Sequence, residues 1–253
     1  MAISVVSQQF NGSNNSTGNN NSNLLVAPMK KQLVTLRIGD YLPEVCKITI
    51  PLLDHYACKI GAEFKIIDKP IFDMPSLTYE KFQLYEMSKG YDWTIFLDAD
   101  TLVNPDSADY TEGVTKDIVL FHGLDMCLNR FRANNYIRRS GQVNGACTWC
   151  VMFSDWCRDI FHPIQETTWD ECINNIFPTV NEVKSGTCSK EHLIDDYLVT
   201  QNIARYGLKV KAILELASSD WHLSGTGFTH LYACSAAEKA YKLQEEVKKW
   251  GLA

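Results

Sequence analysis

From residue 32 onward, short apolar runs alternate with stretches in which apolar residues recur every three or four positions, the pattern of strands joined by amphipathic helices. Leu33–Ile38 reads as a first strand, Leu42–Ile60 as a helix closed by Gly61, and Glu63–Ile67 as a second strand. A helix over Leu77–Lys89, ending at Gly90, leads into Trp93–Leu97, an almost unbroken apolar run of the kind covered on both faces of a sheet. Further strands are predicted at Ile118–Phe121 and Ala146–Phe153, and helices at Asp155–Ile164 and Asp195–Tyr206, the latter stopped by Gly207. Val210–Leu216 and Phe228–Tyr232 read as late strands. Ser235-Ala-Ala-Glu238 has capping-box spacing and opens a last helix whose alternating Lys and Glu predict a solvated outer face. The alternation predicts one α/β domain over residues 30–253, with a central, mostly parallel mixed sheet flanked by helices.

Composition changes this picture at one end. Residues 8–23 are nearly all Asn, Ser, Gly and Thr and carry too little apolar surface to offset the entropy of ordering, so residues 1–29 are expected to be a disordered tail. The 253 residues suffice for one large core, and the net charge of -6 argues against a surface broadly complementary to nucleic acid. No apolar run approaches the roughly 18 residues that span a bilayer, and the first residues lack the pattern of a signal peptide. Nine scattered cysteines fit reduced thiols better than a disulfide framework. The expectation is a soluble, cytoplasmic protein. Cys147 and Cys150 form the one CxxC; on a strand they would face opposite sides, which argues against a shared metal or redox role.

The chemistry concentrates at Asp98 and Asp100, just past the end of the Trp93–Leu97 strand. Open α/β sheets bind ligands beyond the carboxyl ends of their strands. Two carboxylates one residue apart can converge on a hard cation, which can bridge the oxygens of a diphosphate and stabilise it as a leaving group. Two solvated aspartates at a strand-end turn are the plainer reading of the tripeptide alone.

The surrounding string YDWTIFLDADTLV, residues 91–103, resembles the DxD strand of GT-A glycosyltransferases, close to glycogenin and the bacterial lipooligosaccharide galactosyltransferases. LTYEKF, residues 77–82, is similar to the helix that places a lysine near the phosphates in that group, which implies that role for Lys81. The resemblance implies a Rossmann-like GT-A nucleotide-diphospho-sugar transferase fold. It further implies a metal-dependent transfer, of retaining outcome, from a UDP-linked hexose to a glycan or protein-linked glycan. Asp98 and Asp100 would hold Mn²⁺ or Mg²⁺, with Ala99 beside the donor. Asn144 and Gly145 lie where the family lines its sugar and acceptor site. Asp195 and Asp196 are similar to the acidic segment facing the transferred sugar, where one would orient a hydroxyl or act as base; an acidic helix start favoured by the macrodipole is the alternative.

The family completes its metal site with a late histidine. His222 has the family's HxxG spelling, whereas His230 rises from a predicted strand before the last helix and is favoured because a strand fixes a ligand better than a Ser/Gly-rich loop. A nitrogen ligand favours Mn²⁺. The family's usual KPW-type tail is absent, leaving its phosphate contacts unassigned. Thr35, Arg37, Gly39 and Tyr41 lie where such proteins receive base and ribose, Arg37 to pair with phosphate and Tyr41 to stack on the base. The compact size is also similar to that of glycosyltransferase domains of large DNA viruses that glycosylate capsid proteins, which would place the protein in host cytoplasm.

Two rivals stand beside this reading. IFLDADTL, residues 95–102, also resembles the signature of haloacid dehalogenase phosphohydrolases, with Asp98 as nucleophile and Asp100 as acid/base, but that signature closes the first strand of its domain. The other is an inactive nucleotide-sugar or glycan-binding module, which predicts binding without turnover.

Overall fold

The computed structural model describes residues 28–122, 146–186, 188–213, 227–231 and 234–251. The first strand, β1 (Lys31–Leu36), leads through helix α1 (Pro43–Lys59) to β2 (Ala62–Ile67). Then come β3 (Trp93–Leu97), the two-residue β4 (Leu102–Val103), β5 (Ile118–Phe121) and β6 (Cys150–Ser154). Helix α2 (Ile194–Tyr206), β7 (Lys209–Ala212), β8 (Phe228–Thr229) and helix α3 (Ala236–Lys249) follow.

Among the described residues one six-stranded sheet has the order β2-β1-β3-β6-β5-β7. Strand β1 pairs in parallel with β2 and β3, β5 pairs in parallel with β7, and β6 runs antiparallel between β3 and β5. Alternate residues feed two cores, which is why the strands read as apolar runs rather than alternating ones. Val34, Phe96, Val151 and Phe153 join Tyr79, Phe82, Tyr197 and Leu198 on one face. Leu33, Ile95, Leu97 and Met152 pack with Leu53, Tyr56 and Phe228 on the other. A third, smaller cluster seals α3 onto α1 through Ala240, Leu243, Val45 and Leu102.

Several elements differ from the sequence expectation. Leu77–Gln83 is a 3-10 helix, followed by a short α-helical stretch Leu84–Met87, where one long helix was expected. Three residues per turn bring Tyr79 and Phe82 together, their rings 4.7 Å apart, facing the core. Asp155–Phe161 is also 3-10; Ser154 caps it by accepting from the Trp156 N–H. It stops at His162, whose extended backbone is what a residue before proline prefers, rather than running to Ile164. Strand β6 starts at Cys150 instead of Ala146, because residues 148 and 149 form a turn. Cys147 therefore precedes the strand; it and Cys150 are buried free thiols, and burial pushes the Cys150 thiol well up. The late strands are shorter than expected, four residues for β7 and two for β8, and residues 214–226 lie outside the described residues. Capping at Ser235 is as expected: its side chain accepts from the Glu238 N–H.

Two connections position the site. In the β3–β6 register Leu97 faces Cys150, which sets the turn at residues 146–149 beside the end of β3. In the β4–β8 pair Leu102 faces Thr229, so His230 continues alongside Asp100 and Thr101. The start of β8 is held by Gly227, at φ +74°, whose carbonyl accepts from Asn104 N at 2.7 Å. A β-carbon at 227 would collide with the Ser107 hydroxyl and lie 2.9 Å from Ser107 Cβ. Among the described residues no helix is long and apolar enough to cross a membrane.

Candidate metal and donor site

The Asp98-Ala-Asp100 turn is pinned on three sides. Asp98 N donates to the Trp149 carbonyl at 2.8 Å, Thr101 N donates to the Asp98 carbonyl at 2.9 Å, and the Ala99 carbonyl accepts from Thr49 on α1. The two carboxylates consequently point into different surroundings.

Asp98 faces a closed network. Lys81 Nζ lies 2.9 Å from Asp98 Oδ1 and 2.8 Å from Asp195 Oδ2, and donates to Thr148 Oγ1 at 3.2 Å. The Thr148 N–H donates to Asp196 Oδ1 at 2.8 Å, and its hydroxyl lies within reach of both Asp195 and Asp196. The Lys81 side chain is 4% exposed and its ammonium sits 5.1 Å from the centre of the Phe96 ring. Burial alone would lower the Lys81 pKa, but Asp195 and Asp98 raise it beyond that of a free lysine, so the ammonium stays charged. Burial raises the Asp98 carboxyl, against the opposing pull of Lys81. Asp195 and Asp196, in the first turn of α2, are both buried; they are tied to Lys81 and Thr148 rather than standing as solvated acids at a helix start.

Asp100 is different. One oxygen, Oδ2, takes the Lys239 ammonium from α3 and the Tyr41 hydroxyl at 3.3 Å. The other, Oδ1, is buried without a hydrogen-bond partner and lies 3.3 Å from His230 Nε2. Burial opposes ionisation of Asp100, yet His230 and Lys239 together hold its carboxyl well below the usual range. His230 is oriented by Trp149, whose ring stacks on it at 5.0 Å and 13°; His122 leans on Trp149 at 4.5 Å.

Single ligand atoms of Asp98, Asp100 and His230 all lie within 4.8 Å of one another. This is a candidate divalent-cation site, and two carboxylate oxygens with one imidazole nitrogen suit Mn²⁺. Asp100 Oδ1 is buried with the His230 ring beside it at 3.3 Å and no hydrogen bond of good geometry, and that unfilled oxygen facing an imidazole nitrogen is the observation that fits the site to an ion.

The remaining expected residues are distributed as follows. Thr35 is buried at the end of β1 with its hydroxyl unpartnered, and the buried Arg37 Nε is likewise without a hydrogen bond. Gly39 turns with φ +61°, and Tyr41 exposes 43% of its surface while its hydroxyl reaches Asp100. Asn144, Gly145 and His222 lie outside the described residues. Thr148, Trp149 and Lys239 were not singled out in the sequence. Lys239 in particular falls in the Lys/Glu-rich helix expected to be solvated, yet is 7% exposed. Its only sequence signal is Leu243 one turn on, which puts residue 239 on the edge of the apolar stripe. Asp98 closes the third strand of the chain, not the first as the haloacid dehalogenase pattern requires.

No protein-family model and no curated protein matches the sequence. Solved structures do match the fold. A glycosyltransferase involved in glycosylation of the major capsid of PBCV-1 superimposes with a TM-score of 0.53 at 12% identity, over 85% of this chain and 99% of that one. The galactosyltransferase LgtC, in complex with donor and acceptor sugar analogues, gives 0.48 at 12% identity over 87% and 95%. The Drosophila β1,4-galactosyltransferase 7 mutant with manganese, UDP-Gal and xylobiose gives 0.40 at 15% identity over 80% and 71%. With its mixed six-stranded sheet and an acidic pair at the end of β3, the chain has the GT-A glycosyltransferase fold.

Proposed function

We propose that this protein is a metal-dependent glycosyltransferase that moves a hexose from a UDP-linked donor to a glycan or protein-linked glycan, with retention. The observation that carries the reading is the gathering of Asp98, Asp100 and His230 ligand atoms within 4.8 Å of one another at the carboxyl end of β3, with Asp100 Oδ1 buried and lacking a hydrogen bond. In this reading those three residues hold Mn²⁺, which supplies a Lewis acid to the diphosphate. Lys81 adds a fixed positive charge against the same group. Asp195 keeps Lys81 ionised and in place, and Thr148 ties both to the β6 turn. Asp195 and Asp196 thus act by positioning Lys81 and Thr148, a role different from the base or hydroxyl-orienting role expected from their spelling. Arg37, with its orphaned Nε, is the nucleotide-side contact. The viral enzyme that shares the fold supports a glycan on a protein as acceptor.

Thermal-shift measurement with UDP-, GDP- and dTDP-sugars, with and without Mn²⁺, tests this. A ligand at a hundred times its Kd stabilises the folded state by about 2.7 kcal/mol. One nucleotide, UDP in this reading, should stabilise the protein only with Mn²⁺, and Asp100→Asn should abolish both that shift and sugar transfer. Absence of any metal-dependent nucleotide shift in the unmodified protein would remove the proposal, and hydrolysis of simple phosphomonoesters would replace it with a phosphatase.

A further inference from the structure

The ammonium on Asp100 has no part in the mechanism above, and it is a fixed charge. Ser235 caps α3, and Ala240 and Leu243 bury the helix against Val45 and Leu102, so the Lys239 stem is held 7% exposed with its Nζ on Asp100 Oδ2. The site therefore already contains two lysines, Lys81 on Asp98 and Lys239 on Asp100, each reaching one carboxylate of the tripeptide from a separate element. A divalent ion placed among Asp98, Asp100 and His230 lies close to both. At such separations, repulsion between an ammonium and a dication in a partly buried site exceeds what a tenfold change in affinity requires.

We infer that Lys239 is a built-in competitor for the cation: it neutralises Asp100 in the empty site and keeps the affinity for a free divalent ion low, so that the ion is retained only together with an anionic donor. This rests on the reading of Asp98, Asp100 and His230 as a cation site. The diphosphate supplies the negative charge that offsets Lys239, which links ion retention to donor binding. A lysine that only stabilised the fold would leave the gain in ion affinity on adding UDP the same with and without it.

The experiment titrates Mn²⁺ alone, followed by paramagnetic resonance of the free ion, into the full chain and its Lys239→Met, Lys239→Arg and Asp100→Asn variants. Melting curves in chelator verify that each is folded. Lys239→Met should bind Mn²⁺ at least about tenfold more tightly than the unmodified protein, while Lys239→Arg, which keeps the charge, stays within about threefold of it. Adding UDP should tighten Mn²⁺ binding by a larger factor in the unmodified protein than in Lys239→Met. Equal or weaker Mn²⁺ binding by Lys239→Met, with Asp100→Asn still weakening it in the presence of UDP, overturns the inference and leaves the cation site standing. Indifference of Mn²⁺ and UDP binding to Asp100→Asn overturns both.

Discussion

Asp98 and Asp100 are separated by one alanine on one turn, yet they occupy opposite electrostatic situations. Asp98 belongs to a closely packed cluster in which the single Lys81 ammonium bridges Asp98 and Asp195, and Thr148 donates its N–H to Asp196. Asp100 sits where one oxygen is doubly occupied and the other, facing His230 at 3.3 Å, lacks a hydrogen bond. Burial raises the Asp98 carboxyl, whereas the cationic neighbours of Asp100 overcome its burial and hold it ionised. Hence the two carboxylates of this tripeptide are not equivalent: the first is fixed by Lys81 and the Asp195 network, and the second has one oxygen without a hydrogen bond.

The strongest way to break that contrast is Lys81→Met. Removing the single ammonium from among buried carboxylates should destabilise the protein by about 3–5 kcal/mol in urea titration, and a loss below about 1 kcal/mol would mean that the Asp98 half is not locked by charge. Trp149→Leu sharpens the other half. A ring stack is worth about 0.5–1.5 kcal/mol, so loosening His230 should weaken Mn²⁺ binding by roughly threefold to tenfold, with Trp149→Phe recovering most of it. The remaining test concerns His122 behind Trp149, where burial first and His230 second lower the imidazole from 6.5 to about 4. The unfolded chain takes up that proton before the folded one does, so stability should fall as pH drops from 6.5 toward 4. In His122→Asn the fall should be shallower, and an unchanged pH profile would show that the ring is not shielded.

Most of this was legible in sequence where a residue's local string states its role. WTIFL before an acidic pair specifies a doubly covered strand that ends in an acidic turn, and His230, expected on the Phe228–Tyr232 strand, lies one residue past the shorter β8 and beside that turn. Lys81 lies on a 3-10 helix where an α-helix is expected, since 3-10 and α periodicities differ little over two turns and tertiary packing of Tyr79 and Phe82 decides. Thr148 was hidden inside the CxxC, where attention falls on the thiols, and its partners lie 47 and 48 residues away. Lys239 was hidden by composition: in a run of Lys and Glu, only the docking of α3 on α1 shows which lysine turns inward. Long-range partners of polar residues leave almost no local signature, whereas apolar periodicity does.

The close approach at Gly227 has a bearing on how far the site can drift in sequence. The segment leading to His230 is registered by the Asn104–Gly227 backbone hydrogen bond, with a hydrogen at 227 where any other residue would bring a β-carbon against the Ser107 side chain. Alanine at 227 would have to displace Ser107 or shift the chain that leads into β8, three residues before His230, and would also be strained at φ +74°. The entry to the strand that precedes the imidazole is thus shaped by a gap left clear away from the carboxylates themselves, kept by the smallest side chain in the chain.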